Sequence, residues 1–141
     1  GNMGTLALAR HDYARAEAEL MAAMAFYEET GRKAAVAVSL GNLGVLAARR
    51  EDNVAAEAFH QRALALAVEL GDRALEASNL DNLGSISKER GDLDQADDYY
   101  KQALNINEAI GDRVKAAMNR TNLGDLALKK GDPVAAQRYA E

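Results

Sequence analysis

The stretch DNLGSISKERGD, Asp81 to Asp92, decides the fold, because its Asn-Leu-Gly core returns at a fixed interval. Asn42-Leu43-Gly44 and Asn122-Leu123-Gly124 repeat it, and Asn2-Met3-Gly4 nearly does. The asparagines stand at 2, 42, 82 and 122, a step of 40 residues each time. Gly31, Gly71 and Gly111 keep the same step, as do Asp12, Asp52, Asp92 and Asp132. So do Ala16, Ala56, Ala96 and Ala136, and Ala23, Ala63 and Ala103. Self-similarity at this many positions marks a repeat protein.

Each unit reads as two helices. Leu75, Leu80, Leu83 and Ile86 follow helical spacing between Gly71 and Gly91, and Ala96, Tyr99, Ala103, Ile106 and Ile110 do so before Gly111. Phe59, Ala63, Leu66 and Leu70 step in the same way. The recurring Asp residues sit where second helices begin, as N-caps that accept orphan amide hydrogens. Asp132 precedes Pro133, suited to the first helical position, and Asp92 with Gln95 makes a capping-box variant. The glycines at 31, 71 and 111 suit left-handed helix ends. Basic residues at Arg10, Arg50, Arg90 and Lys130 close the first helices, complementing the helix dipole. Helices are expected near 12–30, 32–50, 52–70, 72–90, 92–110 and 112–130, with shorter pieces at each end. Gly44, Gly84 and Gly124 and the alanines leave room for close helix approach. One amphipathic hairpin cannot cover its own apolar face, so stacked neighbours must bury it. The expected fold is all-α: a right-handed solenoid of antiparallel helix pairs.

Composition narrows the function. A chain of 141 residues carries 48% hydrophobic and 28% charged residues, with one Pro, which suits an ordered helical protein. The net charge of −5, with no basic block, argues against a nucleic-acid partner. No apolar run approaches a membrane span, and no leader-like segment suggests secretion. Without Cys there are no disulfides or thiolate metal sites. The compartment expected on these grounds is the cytoplasm.

The set Leu83-Gly84, Gly91-Asp92, Ala96, Tyr100 and Ala103 resembles the tetratricopeptide repeat (TPR), and all four units share parts of it. The family pattern spans roughly 34 residues, with Trp, Leu-Gly, Tyr, Ala, Phe and Pro positions. Leu-Gly and both Ala positions are kept. The Trp position holds Leu40, Leu80 or Arg120; the Tyr position holds Ala7, Ala47, Ser87 or Ala127; the Pro position holds Glu28, Val68 or Glu108. Losing the Pro lets the second helix run on, and the longer period lengthens both helices. This variant is similar to the long repeats of kinesin light chains, of Pins-type spindle-orientation adaptors and of bacterial regulatory arrays. The register gives a single array over 1–141: a partial repeat 1–36, full repeats 37–76 and 77–116, and a partial repeat 117–141. Apolar residues at both ends (Met3, Leu6, Leu8; Val134, Ala136, Tyr139) predict end-to-end self-association of this fragment.

The recurring Asn heads a stripe beside the core. With Asn82 at zero and about 100° per residue, Leu83, Ser87 and Leu80 lie on the packing side, whereas Ser78, Ser85 and Glu89 fall within about 60° of Asn82. The matching stripes are Val38, Asn42, Val45 and Arg49, and Met118, Asn122, Asp125 and Lys129. The resemblance implies that this stripe faces a concave groove and that the Asn contacts the backbone of an extended ligand. A carboxamide suits that task, since it donates and accepts together and so pairs with a peptide's C=O and N–H. The competing reading has each Asn bridging adjacent helices. Gly41, Asp81 and Thr121 precede the asparagines, without the basic side chains of the carboxylate-clamp subgroup. Arg49, Glu89 and Lys129 alternate in sign, as for weak exposed ion pairs, and Val38, Val45 and Met118 add an apolar patch.

An enzyme is the competing class. His11, read as a turn residue, and His60, at a packing position, have no ligand spacing between them. Asp97 and Asp98 read as solvated charge beside Lys101, and Tyr99 and Tyr100 as one core ring and one groove-side or inter-repeat ring. No phosphate loop, nucleophile elbow or metal triad occurs, so no catalytic residue, cofactor or metal is expected. The reading is a protein–protein interaction scaffold that binds an extended peptide segment through the stripe. The alternative is a regulatory or sensor array within a larger signalling or transcription-regulating protein, and the outsider is an enzyme.

Overall fold

A computed structural model describes the backbone of residues 2–141 and the side chains from residue 12 onward. The side chains of Met3, Leu6, Leu8, Arg10 and His11 lie outside the described residues. Seven helices and no strand are found among the described residues: α1 (Asn2–Glu29), α2 (Lys33–Arg49), α3 (Asn53–Leu70), α4 (Arg73–Glu89), α5 (Leu93–Ile110), α6 (Arg113–Lys129) and α7 (Pro133–Ala140). The chain divides into two compact units, Gly1–Leu70 and Gly71–Glu141.

The helix boundaries follow from one backbone requirement. A helix that ends in a Schellman turn needs a left-handed residue just past it. Gly91 and Gly131 meet this at φ 81° and 79°. The bonds Gly91 N–H to Lys88 O and Asp92 N–H to Ser87 O close the end of α4. Glu51 takes the same conformation at φ 61°. A side chain there costs about 1–2 kcal/mol, which is offset because α2 and α3 bury Val36, Leu40, Leu43 and Ala63 together across the turn. At position 11 the residue is His, and the chain does not turn. The sequence placed His11 in a turn and Asp12 at an N-cap, but α1 runs unbroken through both for 28 residues. Gly31, Gly71 and Gly111 do take the left-handed form.

Two of the four recurring aspartates, Asp52 and Asp132, cap their helices, as do Asp72 and Asp112; Asp12, inside α1, and Asp92 do not. Asp52, Asp72, Asp112 and Asp132 accept the amide hydrogens of Ala55, Leu75, Lys115 and Ala135 at 3.0–3.1 Å. Each such cap stabilises its helix by about 1 kcal/mol. Asp92 makes no side-chain cap bond, and the expected capping box does not form. Its own N–H is committed to Ser87 O, and Gln95 Oε1 accepts instead from Ser87 Oγ at 3.2 Å.

The Leu-Gly pairs set the spacing inside each unit. Leu43 and Leu83 are 1% exposed and Leu123 is fully buried. The neighbouring glycines admit the facing second helix. A Cβ on Gly44 would stand 2.6 Å from His60 Nε2, and one on Gly84 2.9 Å from Tyr100 Cε1. At Gly124 the nearest atom, Ala136 O, is 3.6 Å away, an ordinary contact. Around these pairs the first unit packs Met24, Leu20, Phe59 and Leu66, and the second packs Ala96, Leu126, Leu93 and Leu104. Connections of two or three residues between α2 and α3 and between α4, α5 and α6 make sequential helices antiparallel neighbours.

Candidate functional site

In the second unit, α4 and α6 are tied directly by two side-chain contacts. Lys115 Nζ donates to Ser78 Oγ at 3.4 Å, and Asn119 Nδ2 donates to Asp81 Oδ1. Behind them, Asn107 Nδ2 on α5 donates to Asn119 Oδ1 at 2.7 Å. Asn107 and Asn119 are at most 1% exposed, so this Asn107–Asn119–Asp81 relay runs from the interior to a half-buried carboxylate. Asn107 Oδ1 is left without a hydrogen-bond partner. Burial pushes the Asp81 carboxyl up to about 6, against the opposing pull of the Asn119 amide and the Lys115 charge.

The recurring asparagines lie beside this relay and not in it. Asn82 and Asn122 are half-buried on α4 and α6. Among the described residues neither amide hydrogen-bonds a protein group, and the polar bridge between α4 and α6 is carried by Asn119. Ser78 and Asp81 flank Asn82 on the α6 side. Ser85, one turn on, meets the Tyr100 hydroxyl at 3.0 Å. Burial raises the Tyr100 phenol and the Ser85 contact lowers it, with Asp81 and Glu89 adding upward pressure. Met118 is 59% exposed and Val114 74%. With Arg113, Ala117, Thr121 and Asn122 they line a shallow apolar depression of about 630 Å³. Glu89, Asp125 and Lys129 are exposed farther along the two helices.

The first unit presents one such helix face. Val38, Asn42, Val45 and Arg49 are all exposed on α2. Below that helix lies a cavity of about 380 Å³, walled by Leu43, Leu46, Ala47, Ala55 and Phe59, with Glu17, Arg50 and Asp52 at its polar edge. The Arg50 guanidinium pairs with Glu17 there. Ala47 and Ala55 stand at the positions that Ser87 and Gln95 occupy in the second unit.

The sequence reading missed the relay. Its signal was a second polar series at the same period, Ser39, Asn79 and Asn119, three residues before each Asn-Leu-Gly. All three are buried, and Asn79 Nδ2 turns back to Leu75 O at 2.9 Å. Among the described residues no group of three His, Asp or Glu is placed to hold a metal. No described helix is long and apolar enough to cross a membrane.

Residues 1–69 and 74–141 match a family model described as tetratricopeptide repeat. No curated protein matches the chain significantly. Among solved structures, BtubC (BKLC) from P. vanneervenii is similar over 92% of this chain and 54% of its own, with a TM-score of 0.82 and 23% identity. The chain thus spans about half the length of that protein. The TPR domain of Arabidopsis FLU is similar over 77% of this chain and 91% of its own, with a TM-score of 0.72 and 21% identity. At these identities the likeness is one of fold.

Proposed function

The chain belongs to the tetratricopeptide repeat family, and on that premise we propose that it is a protein-interaction module whose exposed first-helix face takes an extended segment of a partner protein. The observation that carries this is the state of Asn82 and Asn122. They sit on two helices tied together by Asn119–Asp81, half-buried, with no hydrogen bond to a described protein group. A half-buried amide without a partner loses little by binding and gains both a donor and an acceptor contact. A peptide backbone offers the complementary pair at every residue, so such amides hold a segment whatever its side chains. The apolar depression beside Asn122 supplies a seat for one side chain of the segment. Asn42 stands at the equivalent position on the first unit's α2. The module acts by binding, without chemistry of its own.

The test begins with peptides selected from a phage-displayed library of random dodecapeptides. Their affinities are then measured by fluorescence polarisation against the native chain and against Asn82→Ala and Asn122→Ala. Each substitution should weaken binding by about 1–3 kcal/mol while leaving the melting curve in place. Selected peptides that bind both variants as tightly as the native chain would remove the asparagines from the site.

A further inference from the structure

We propose that Asp81 is the seat for a basic side chain, Lys or Arg, of the bound segment, and so sets the specificity of the face described above. This rests on that peptide-binding reading.

The first argument is the bond inventory. A carboxylate has two oxygens with about four acceptor positions between them. Among the described residues one is filled, by a neutral donor, Asn119 Nδ2. The nearest ammonium, Lys115, sits one turn before Asn119 on α6. It acts on Asp81 through its field but donates to Ser78 Oγ and forms no ion pair with Asp81. The Tyr100 phenol from α5, which feels the fields of both Asp81 and Glu89, is a further titratable group near this corner, and it is neutral at neutral pH. Asp81 is therefore a half-buried carboxylate without a contacting cation, immediately before the asparagine that holds the backbone.

The second argument is that the fold does not ask for it. The equivalent positions are Gly41 and Thr121, and α2 and α6 form there without a carboxylate. Nothing in the repeat requires an acid at 81, yet the second unit commits two buried amides, Asn119 and Asn107, to holding it in place. A positioned, partly desolvated carboxylate is what a charge-assisted hydrogen bond from a ligand cation needs. Burial keeps the proton on Asp81 to higher pH than usual. A docked ammonium or guanidinium offsets that cost, and solvent does so only in part.

The experiment uses the same dodecapeptide selection on the intact chain, with Asp81→Asn as the variant. That change keeps the shape and the acceptor for Asn119 and removes the charge. Peptides selected on the native chain should share a Lys or Arg at one position and bind Asp81→Asn at least tenfold more weakly. Replacing that residue by Gln should weaken binding to the native chain by the same factor and leave binding to Asp81→Asn unchanged. Native affinity should fall about tenfold from pH 7 to pH 5, as a group titrating near 6 takes up its proton, and the Asp81→Asn profile should be flat. Peptides that need Asn82 and Asn122 but show no recurrent basic residue, or bind Asp81→Asn unchanged, overturn the proposal and leave the peptide-binding reading standing. Peptides indifferent to Asn82 and Asn122 remove both. Should Asp81→Asn lose its helical circular dichroism, the peptide-side Gln substitution and the native pH profile decide the matter alone.

Discussion

The two units place different chemistry on one frame. Position for position, the first has Gly44 against His60 and the second Gly84 against Tyr100. Ala47 and Ala55 leave a cavity of about 380 Å³ in the first, whereas Ser87 and Gln95 hydrogen-bond at their counterparts. Ser39, Gly41 and Ala67 stand in the first where Asn79, Asp81 and Asn107 stand in the second. The positions that must be small are small in both, because a facing ring occupies the space. The positions that fill gaps between helices are apolar and loose in one unit, polar and bonded in the other. The helix frame is set by size, and the polarity of its seams is left for other uses.

The sharpest way to break this comparison is to hollow out equivalent core sites. Leu83→Ala should cost about 3–5 kcal/mol and Leu43→Ala about 2–3 kcal/mol. Leu43 already borders the cavity and so has fewer contacts to lose. Urea unfolding followed by circular dichroism measures both. Equal losses would show that the cavity does not slacken the first unit's core. A smaller effect tests the glycines. Gly84→Ala places a Cβ 2.9 Å from the Tyr100 ring and should destabilise by about 1–2 kcal/mol net. Gly124→Ala meets only ordinary contacts and should gain up to about 1 kcal/mol from helix propensity. A stabilising Gly84→Ala would mean that the ring gives way.

The smallest effect concerns the relay that only the second unit has. The folded Asp81 carboxyl holds its proton up to about pH 6, against an ordinary value of 3.8. The native state therefore binds more protons than the unfolded chain between those values, and stability falls as pH rises through that window. Asp81→Asn should raise stability at pH 7 by about 1 kcal/mol, a two-unit shift discounted for a side chain half in solvent. The gain should vanish below pH 4, as thermal melts at pH 3.5 and 7 would show. A loss of stability at pH 7 would make the ionised carboxylate a structural asset instead.

What the sequence discloses is what a backbone repeats. The 40-residue period, the glycine helix ends and the Leu-Gly approach sites all depend on local conformation or on residue size, and a one-dimensional pattern records both. The unbroken α1 escaped because the period suggested a turn at 11, and the turn does form at the equivalent Glu51, whereas at His11 the helix runs on. The capping box expected at Asp92 and Gln95 does not form because Ser87, eight residues back on another helix, captures Gln95. Asn107, Asn119 and Asp81 come from three helices, and no spacing along the chain announces their meeting. The half-buried setting of Asn82 and Asn122 was legible, since helix angle alone puts the asparagine stripe beside the core.

Tyr100 carries one consequence of a different kind. Its ring is 2% exposed, but its hydroxyl meets Ser85 on the exposed helix face. The chain has no Trp and five Tyr, so its near-ultraviolet signal comes mainly from phenol groups. One of those phenols joins the interior of the second unit to the surface on which a ligand would lie. The molecule therefore carries its own optical gauge. A segment that settles near Ser85 changes the hydrogen bond at the Tyr100 oxygen, and the absorbance and emission of the unlabelled protein register it.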